Sequence, residues 1–297
     1  MITTQHYSKM INKGIILAGG TGTRLNPITI SVSKQLMPVY DKPMIYYPLS
    51  TLMEAKIKDI LIITTPHDQI LFKKLLSDGK HIGINISYAV QAQPNGIAES
   101  FIIGEKFINN NPVALILGDN IFYGYQLDKI LIKNKKNNLS TIFGYQVNNP
   151  ESYGVIEISK DNKVKKIVEK PKKPKSSFAV TGMYFYDKNV VSYAKKLKPS
   201  TRGELEITDL NNIYLKNKNL NFQLLDSGIA WLDTGTHENL LNAQNFISVV
   251  QKRQGIMIGC PEEIAFKNKW IGKNQIKNNL KNYKNSDYEA YLNKFLI

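Results

Sequence analysis

Gly14-Ile15-Ile16-Leu17-Ala18-Gly19-Gly20-Thr21-Gly22-Thr23-Arg24-Leu25 is an apolar run that breaks abruptly into glycines and an arginine. It reads as a strand feeding a phosphate-cradling loop. Glycine at 19, 20 and 22 lets the backbone take positive φ and bring its N–H groups close to an anion, with no Cβ in the way. Arg24 adds a planar fork of donors matched to phosphate oxygens. The stretch departs from the two commonest glycine-rich templates. Leu25 stands where G-x-G-x-x-G needs its last glycine, and no Gly-Lys-Ser/Thr follows. This is neither an ordinary dinucleotide fingerprint nor a Walker A loop. Taken alone, such a loop also fits a tight strand-to-helix connection carrying a surface arginine.

Soon after Arg24 comes Ser33-Lys34-Gln35-Leu36-Met37-Pro38, and the two segments together resemble the signature of the sugar-nucleotide pyrophosphorylases. Asp41-Lys42-Pro43-Met44, Leu117-Gly118-Asp119-Asn120, Val180-Thr181-Gly182-Met183, Arg202-Gly203-Glu204-Leu205-Glu206 and Trp231-Leu232-Asp233-Thr234-Gly235 narrow the likeness to one branch. The chain is similar to the glucose-1-phosphate thymidylyltransferases from Asn12 to about Leu296, with residues 1–11 outside the match. The resemblance implies an α/β fold with a doubly wound, mostly parallel Rossmann-like sheet, a small β-rich sugar-binding insertion and a helical C-terminal tail. It implies Mg2+-dependent transfer of a thymidylyl group from dTTP to glucose 1-phosphate, giving dTDP-glucose and pyrophosphate, the first step toward dTDP-rhamnose and related deoxysugars. It also implies a homotetramer with feedback by the end-product nucleotide sugar. A UTP- or CTP-using enzyme, or a non-catalytic nucleotide-sugar sensor, stays open as an alternative.

Composition bounds the rest. At 297 residues and 42% hydrophobic, the chain can bury a sizeable core. Cys260 is the sole cysteine, which excludes an internal disulfide and a Cys-rich zinc site and suits a reducing cytoplasm. No apolar run approaches the roughly 20 residues of a membrane span, and Met1 to Lys13 lacks the apolar core of a signal peptide. A cytoplasmic protein with no membrane partner is expected. The formal charge of +15, from 39 Lys and Arg against 24 Asp and Glu, raises nucleic acid as a partner. Much of the excess lies in solvated Lys/Asn-rich patches such as residues 133–138, and no RNA-recognition signature accompanies them. No nucleic-acid partner is expected.

Apolar strand-like runs at 14–18, 60–64, 86–91, 113–117 and 141–146 alternate with helical patterns at 44–55, 70–76, 97–107 and 127–133. That alternation predicts a mostly parallel, doubly wound sheet, with ligands collecting beyond the carboxyl ends of its strands. After Pro150 short strands predominate, at 155–158, 164–169 and 180–186, followed by helices at 190–197 and 207–216 and a strand near 222–225. We divide the chain into a nucleotidyltransferase domain over 12–254, with a nucleotide-binding half (12–150) and a sugar-binding half (151–254), and a helical tail over 255–297. A long helix is expected from His237 to about Gln254. Pro261-Glu262-Glu263 and the Ser286/Glu289 capping box predict helices in the tail.

The implied reaction joins two anions, so the site needs cations and a metal. Asp119 and Asp233 are the candidate Mg2+ ligands, since this hard ion takes one or two carboxylates plus phosphate oxygens. Each has a plain alternative, Asp119-Asn120 as a turn pair and Asp233-Thr234-Gly235 as an aspartic-protease triplet. The triplet is set aside because no second copy occurs. From the resemblance, Arg24, Lys34 and Lys170 are catalytic, and Gly19, Gly20, Gly22, Thr23, Arg24, Lys34, Gln35, Gln91 and Gly96 bind the nucleotide. Gln91 would read the base, pairing with both a carbonyl and an N–H on a pyrimidine edge. Asp119, Tyr153, Gly154, Glu169, Lys170, Val180 and Arg202 bind the sugar phosphate. His6, His67, His81 and His237 show no metal-ligand spacing.

Overall fold

The computed structural model describes residues 10–159 and 163–297, and His6 lies outside them. The first half runs β1 (Lys13–Ala18), β2 (Pro38–Val39), β3 (Lys42–Pro43), α1 (Tyr46–Glu54), β4 (Asp59–Thr64), α2 (Gln69–Leu76), β5 (Asn85–Val90), α3 (Glu99–Ile103), α4 (Glu105–Ile108), β6 (Val113–Leu117), β7 (Asn120–Gly124), α5 (Leu127–Asn134) and β8 (Ser140–Gln146). Then follow β9 (Gly154–Ile158), β10 (Val164–Glu169), β11 (Phe178–Tyr186), α6 (Val190–Ala194), α7 (Ile207–Lys216), β12 (Leu220–Leu224), β13 (Ile229–Asp233) and α8 (His237–Gln254). The chain closes with α9 (Pro261–Lys267), α10 (Lys273–Leu280) and α11 (Asp287–Asn293).

β4 is buried from Ile60 to Thr64 without a break, as suits a strand covered on both faces. Successive side chains point to opposite faces. Ile16, Ile60, Ile62 and Ile116 therefore join one core layer, and Ile15, Leu61, Ile63 and Leu115 the other. Leu49, Leu52 and Phe72 of α1 and α2 cover the first layer, together with Ala265, Ile276 and Leu292 of the tail. Phe101, Ile108, Val190, Leu210 and Tyr214 cover the second.

The order β10-β9-β11-β6-β1-β4-β5, with β8 on β11 and β12 on β8, makes nine strands among the described residues. Its centre is parallel: β1 pairs with β4 and β6, and β4 with β5. β11 runs antiparallel to β6, β8 and β9, which grafts the second half of the chain onto the same sheet. The fold is thus α/β around a mostly parallel centre.

Two features depart from the expected elements. The helix predicted over 97–107 is two short ones separated at Gly104, where a Cβ would lie 2.9 Å from the Ser100 carbonyl and 3.1 Å from Ile15. The close approach to β1 sets the break. β7 and β13 form a separate antiparallel ribbon, with Asn120 opposite Asp233 and Phe122 opposite Trp231. Leu25, Met44, Tyr47 and Ile121 pack against Leu240, Ala243 and Ile247 of α8. α8 spans the expected residues, capped by Thr236, whose Oγ1 accepts from the Asn239 N–H at 3.2 Å, and by Gly255 at φ 65°.

The tail is folded onto α1 and the β4–β5 edge. Buried Glu262 accepts from the Tyr283 and Tyr288 hydroxyls at 2.7 and 2.6 Å. Asn279 Nδ2 donates to the His81 carbonyl at 2.8 Å. Ser286 Oγ accepts from the Glu289 N–H, while Glu289 reaches back to the N–H of Asn285, one residue before the position the capping-box template uses. No described helix is long and apolar enough to cross a membrane. Glu262→Ala should lower unfolding stability by about 3 kcal/mol, because the buried Tyr288 and half-buried Tyr283 hydroxyls lose their common acceptor. A urea titration checks this, and an unchanged midpoint would mean that the network does not hold the tail.

Candidate active site

Two cavities of about 340 and 190 Å3 adjoin at the carboxyl ends of β1 and β6, sharing Arg24, Ile97, Leu117 and Asp119 in their walls. The larger is lined by Gly19, Gly20, Gly22, Thr23, Arg24, Lys34, Gln35, Gln91, Gly96 and Asp119. Tyr153, Gly154, Glu169, Lys170, Val180 and Asp233 line the smaller, again with Arg24 and Asp119. Among the residues singled out in the sequence, Arg202 alone lines neither cavity.

The glycine loop leaves β1 and turns at Gly20 (φ 97°) and Gly22 (φ 61°). A single 3-10 turn over Thr23–Leu25 follows, and fully buried Leu25 pins the loop to the layer under α8. Gly19 is held close to Gln91, since a Cβ there would lie 2.8 Å from Gln91 Oε1. Gln35 is buried, with Ser33 Oγ donating to its Oε1 at 2.8 Å.

The shared wall carries the charge. Lys34 Nζ donates to Asp119 Oδ2. Burial would raise the Asp119 carboxyl, but the Lys34 ammonium, aided by hydrogen bonds from Lys34 and Asn120, outweighs it and holds the group below the usual carboxylate range. Asp233 goes the other way. Burial first, and the Asp119 charge second, push it up to about 6 against the pull of Lys34 and Arg24. Two carboxylates that resist joint ionisation form a site a divalent cation would relieve. No group of three or more His, Cys, Asp or Glu suited to a metal occurs among the described residues, so such an ion would draw its other ligands from phosphate and water.

The backbone of the β7/β13 ribbon brings these carboxylates together. Thr234 donates from its N–H and Oγ1 to the Asp119 carbonyl at 3.2 and 2.9 Å. Asn120 Nδ2 donates to Asp119 Oδ1 at 2.9 Å, and its Oδ1 accepts from the Gly182 N–H at 3.0 Å and Trp231 Nε1 at 2.7 Å. Gly182 must be glycine there, as a Cβ would meet Asn120 Oδ1 at 2.4 Å. Asn120, Thr234 and Trp231 were not assigned roles from sequence, although all three lie in motifs quoted for the resemblance.

On the smaller cavity's side, Glu169 accepts from Thr208 Oγ1 at 2.6 Å and Arg202 Nη2 at 3.4 Å. Lys170 follows at φ 38°, its N–H donating to the Tyr153 carbonyl at 3.0 Å, so the chain turns out of β10 there. Arg202 sits at the rim, its guanidinium forked onto Glu206 at 2.8 and 3.1 Å. In the larger cavity both Gln91 amide protons are engaged, by the Gly96 carbonyl at 3.2 Å and Glu99 Oε2 at 2.7 Å. The double donor-and-acceptor role expected of Gln91 is reduced to its oxygen.

The Nucleotidyl transferase family model matches residues 13–249. A glucose-1-phosphate thymidylyltransferase of Xanthomonas campestris pv. campestris is 56% identical over 94% of this chain and 95% of its own length. One from Neisseria meningitidis is 54% identical, covering 96% and 99%. Among solved structures, a Bacillus anthracis protein assigned as a glucose-1-phosphate thymidylyltransferase, in complex with sucrose, superposes with a TM-score of 0.73 at 43% identity, over 79% of this chain and 94% of that one. A UDP-glucose pyrophosphorylase complexed with UDP-glucose gives 0.72 at 27% identity, over 82% and 100%. The chain belongs to the nucleotidyl transferase family, within its group of glucose-1-phosphate thymidylyltransferases.

Proposed function

We propose that the protein transfers the thymidylyl group of dTTP to glucose 1-phosphate, releasing pyrophosphate and forming dTDP-glucose. One observation carries the reading: two adjoining cavities share Arg24 and Asp119, so two phosphorylated substrates can meet at a common charged wall. The larger cavity, under the glycine loop, takes the nucleotide, and the smaller takes the sugar phosphate. On this reading residues 12–150 form a nucleotide half and 151–254 a sugar half, each lending some residues to the other's cavity.

An oxygen of the sugar phosphate attacks the α-phosphorus of dTTP. The bond from that phosphorus to the bridging oxygen breaks, and its electron pair leaves with pyrophosphate. Positioning and charge compensation supply the catalysis, since no side chain need become covalently attached. Gly19, Gly20, Gly22 and Thr23 bend the loop around the triphosphate, and Arg24 and Lys34 offset its charge as pyrophosphate departs. Lys170 holds the attacking phosphate, while Glu169 accepts from sugar hydroxyls and is itself fixed by Thr208 and Arg202. Asp119 and Asp233 would hold Mg2+, whose contribution when bound is neutralisation of the facing phosphates. Lys34 must then exchange Asp119 for a phosphate oxygen.

The direct test is pyrophosphate release with glucose 1-phosphate and Mg2+, each nucleoside triphosphate being tried in turn. dTTP should be preferred, with UTP next, because one methyl in an apolar pocket is worth only about 1 kcal/mol. Preference for a purine triphosphate would defeat the assignment. Asp233→Asn keeps the shape of the ribbon but removes a carboxylate, so kcat should fall at least about a hundredfold with folding intact. Near-normal turnover at limiting Mg2+ would remove Asp233 from the metal site. Lys170→Ala should raise KM for glucose 1-phosphate and lower kcat while dTTP binding, measured without sugar phosphate, stays nearly unchanged. Were dTTP affinity to collapse instead, Lys170 would belong to the nucleotide half.

A further inference from the structure

The proposed substrate assignment leaves open how the protein tells one pyrimidine from another, and the surroundings of Gln91 bear on that. Its side-chain amide is buried at the end of β5. An amide nitrogen carries two protons. One is taken by the Gly96 carbonyl at 3.2 Å and the other by Glu99 Oε2 at 2.7 Å. The second oxygen of Glu99 accepts from Asn95 Nδ2 at 2.9 Å, so this carboxylate is anchored on both sides. A carbonyl and a carboxylate offer only acceptors. Rotating the Gln91 amide by half a turn would set its oxygen against both, which leaves one orientation. Gln91 Oε1 thereby lies against Gly19, 2.8 Å from where a Cβ there would be, and both residues line the larger cavity.

We propose that Glu99 is a positioning residue for base choice, locking the Gln91 amide so that it offers the base an acceptor and no donor. Thymine and uracil carry an N–H at ring position 3 and satisfy that acceptor. Cytosine has a bare nitrogen there, so its lone pair would face the Gln91 oxygen. A buried acceptor facing another acceptor costs far more than a missing methyl. Glu99 therefore excludes cytosine and leaves the choice between thymine and uracil to other contacts. Gly96 supports the arrangement: it sits at φ 106°, and a Cβ there would come within 2.5 Å of the Leu205 carbonyl. The residue whose carbonyl takes the first proton is thus packed closely against the Leu205 backbone.

This inference rests on the pyrimidine nucleotide assigned above to the larger cavity, and its test is equilibrium binding rather than turnover. The affinities of dTTP and dCTP are measured by calorimetry with Mg2+ and without sugar phosphate, in the wild-type protein, Glu99→Ala and Glu99→Gln. Wild type should favour dTTP by about a hundredfold or more. Glu99→Ala removes the carboxylate acceptor and leaves only the Gly96 carbonyl to oppose rotation, so the ratio should fall at least about tenfold, chiefly through tighter dCTP binding. Glu99→Gln puts an amide there that can donate as well as accept, so the ratio should fall between those of wild type and Glu99→Ala. A structural role alone would weaken both nucleotides together. Equal wild-type affinities, an unchanged ratio in Glu99→Ala, or a parallel loss of both nucleotides in either variant would each overturn the proposal. A protein that binds dTTP selectively yet releases no pyrophosphate would sink the reaction assignment and leave the role of Glu99 standing.

Discussion

The side chain of Asn120 is the junction on which the site depends. It is buried and bonded at both ends: its nitrogen donates to the Asp119 carboxylate, and its oxygen accepts from the backbone of β11 and the indole of Trp231, 111 residues away. Three parts of the chain meet there: the end of β6, the middle of β11 and the β13 strand leading to Asp233. Each bond satisfies a polar group that would otherwise be buried without a partner, at a cost of roughly 1–3 kcal/mol apiece. That sum is a large share of a domain's net stability. The two acidic groups are thus held together by requirements of the fold, against their mutual repulsion.

That repulsion explains the charges around them. Asp119 keeps its ionised form because Lys34 touches it, whereas Asp233, with Arg24 and Lys34 acting only at longer range, is pushed toward neutrality. Lys34 serves as an internal counter-ion to Asp119. Removing one partner of a buried pair of this kind costs about 3–5 kcal/mol. On the proposed assignment, a cation held by the two carboxylates would take over that role and leave Lys34 to a phosphate oxygen.

Much of this was legible in the sequence where the signal is local. The Gly14 to Leu25 stretch, the apolar runs of β1, β4, β5 and β6, the helix from His237 and the Ser286 cap depend on residues within a turn or two of one another. The β7/β13 ribbon was not legible. Ile229 to Asp233 alternates too briefly to declare a strand, and its partner lies more than a hundred residues earlier in the chain. Asn120 read as half of a turn pair because its three partners come from three elements. The break falls at Gly104, where the chain packs close to Ile15 and the Ser100 carbonyl, contacts the helical pattern of 97–107 does not show. Arg202 was placed among the sugar-phosphate ligands by its motif, and only the folded geometry adds that its guanidinium is already committed to Glu206.

The nucleotide and sugar sides are also joined through backbone, which side-chain patterns cannot reveal. Leu205 N–H donates to the Asn95 carbonyl at 2.7 Å, and its own carbonyl accepts from the Ala98 N–H at 3.2 Å. Gly96 lies between these bonds with no room for a Cβ. The loop around Gly96 in the first half is therefore clamped to the Arg202–Glu206 segment of the second. That segment also carries the guanidinium that steadies Glu169. A displacement of either loop must stretch the same pair of hydrogen bonds. The spacing between the two cavities is thus set by main-chain geometry, while the side chains on their walls remain free to vary in what they bind.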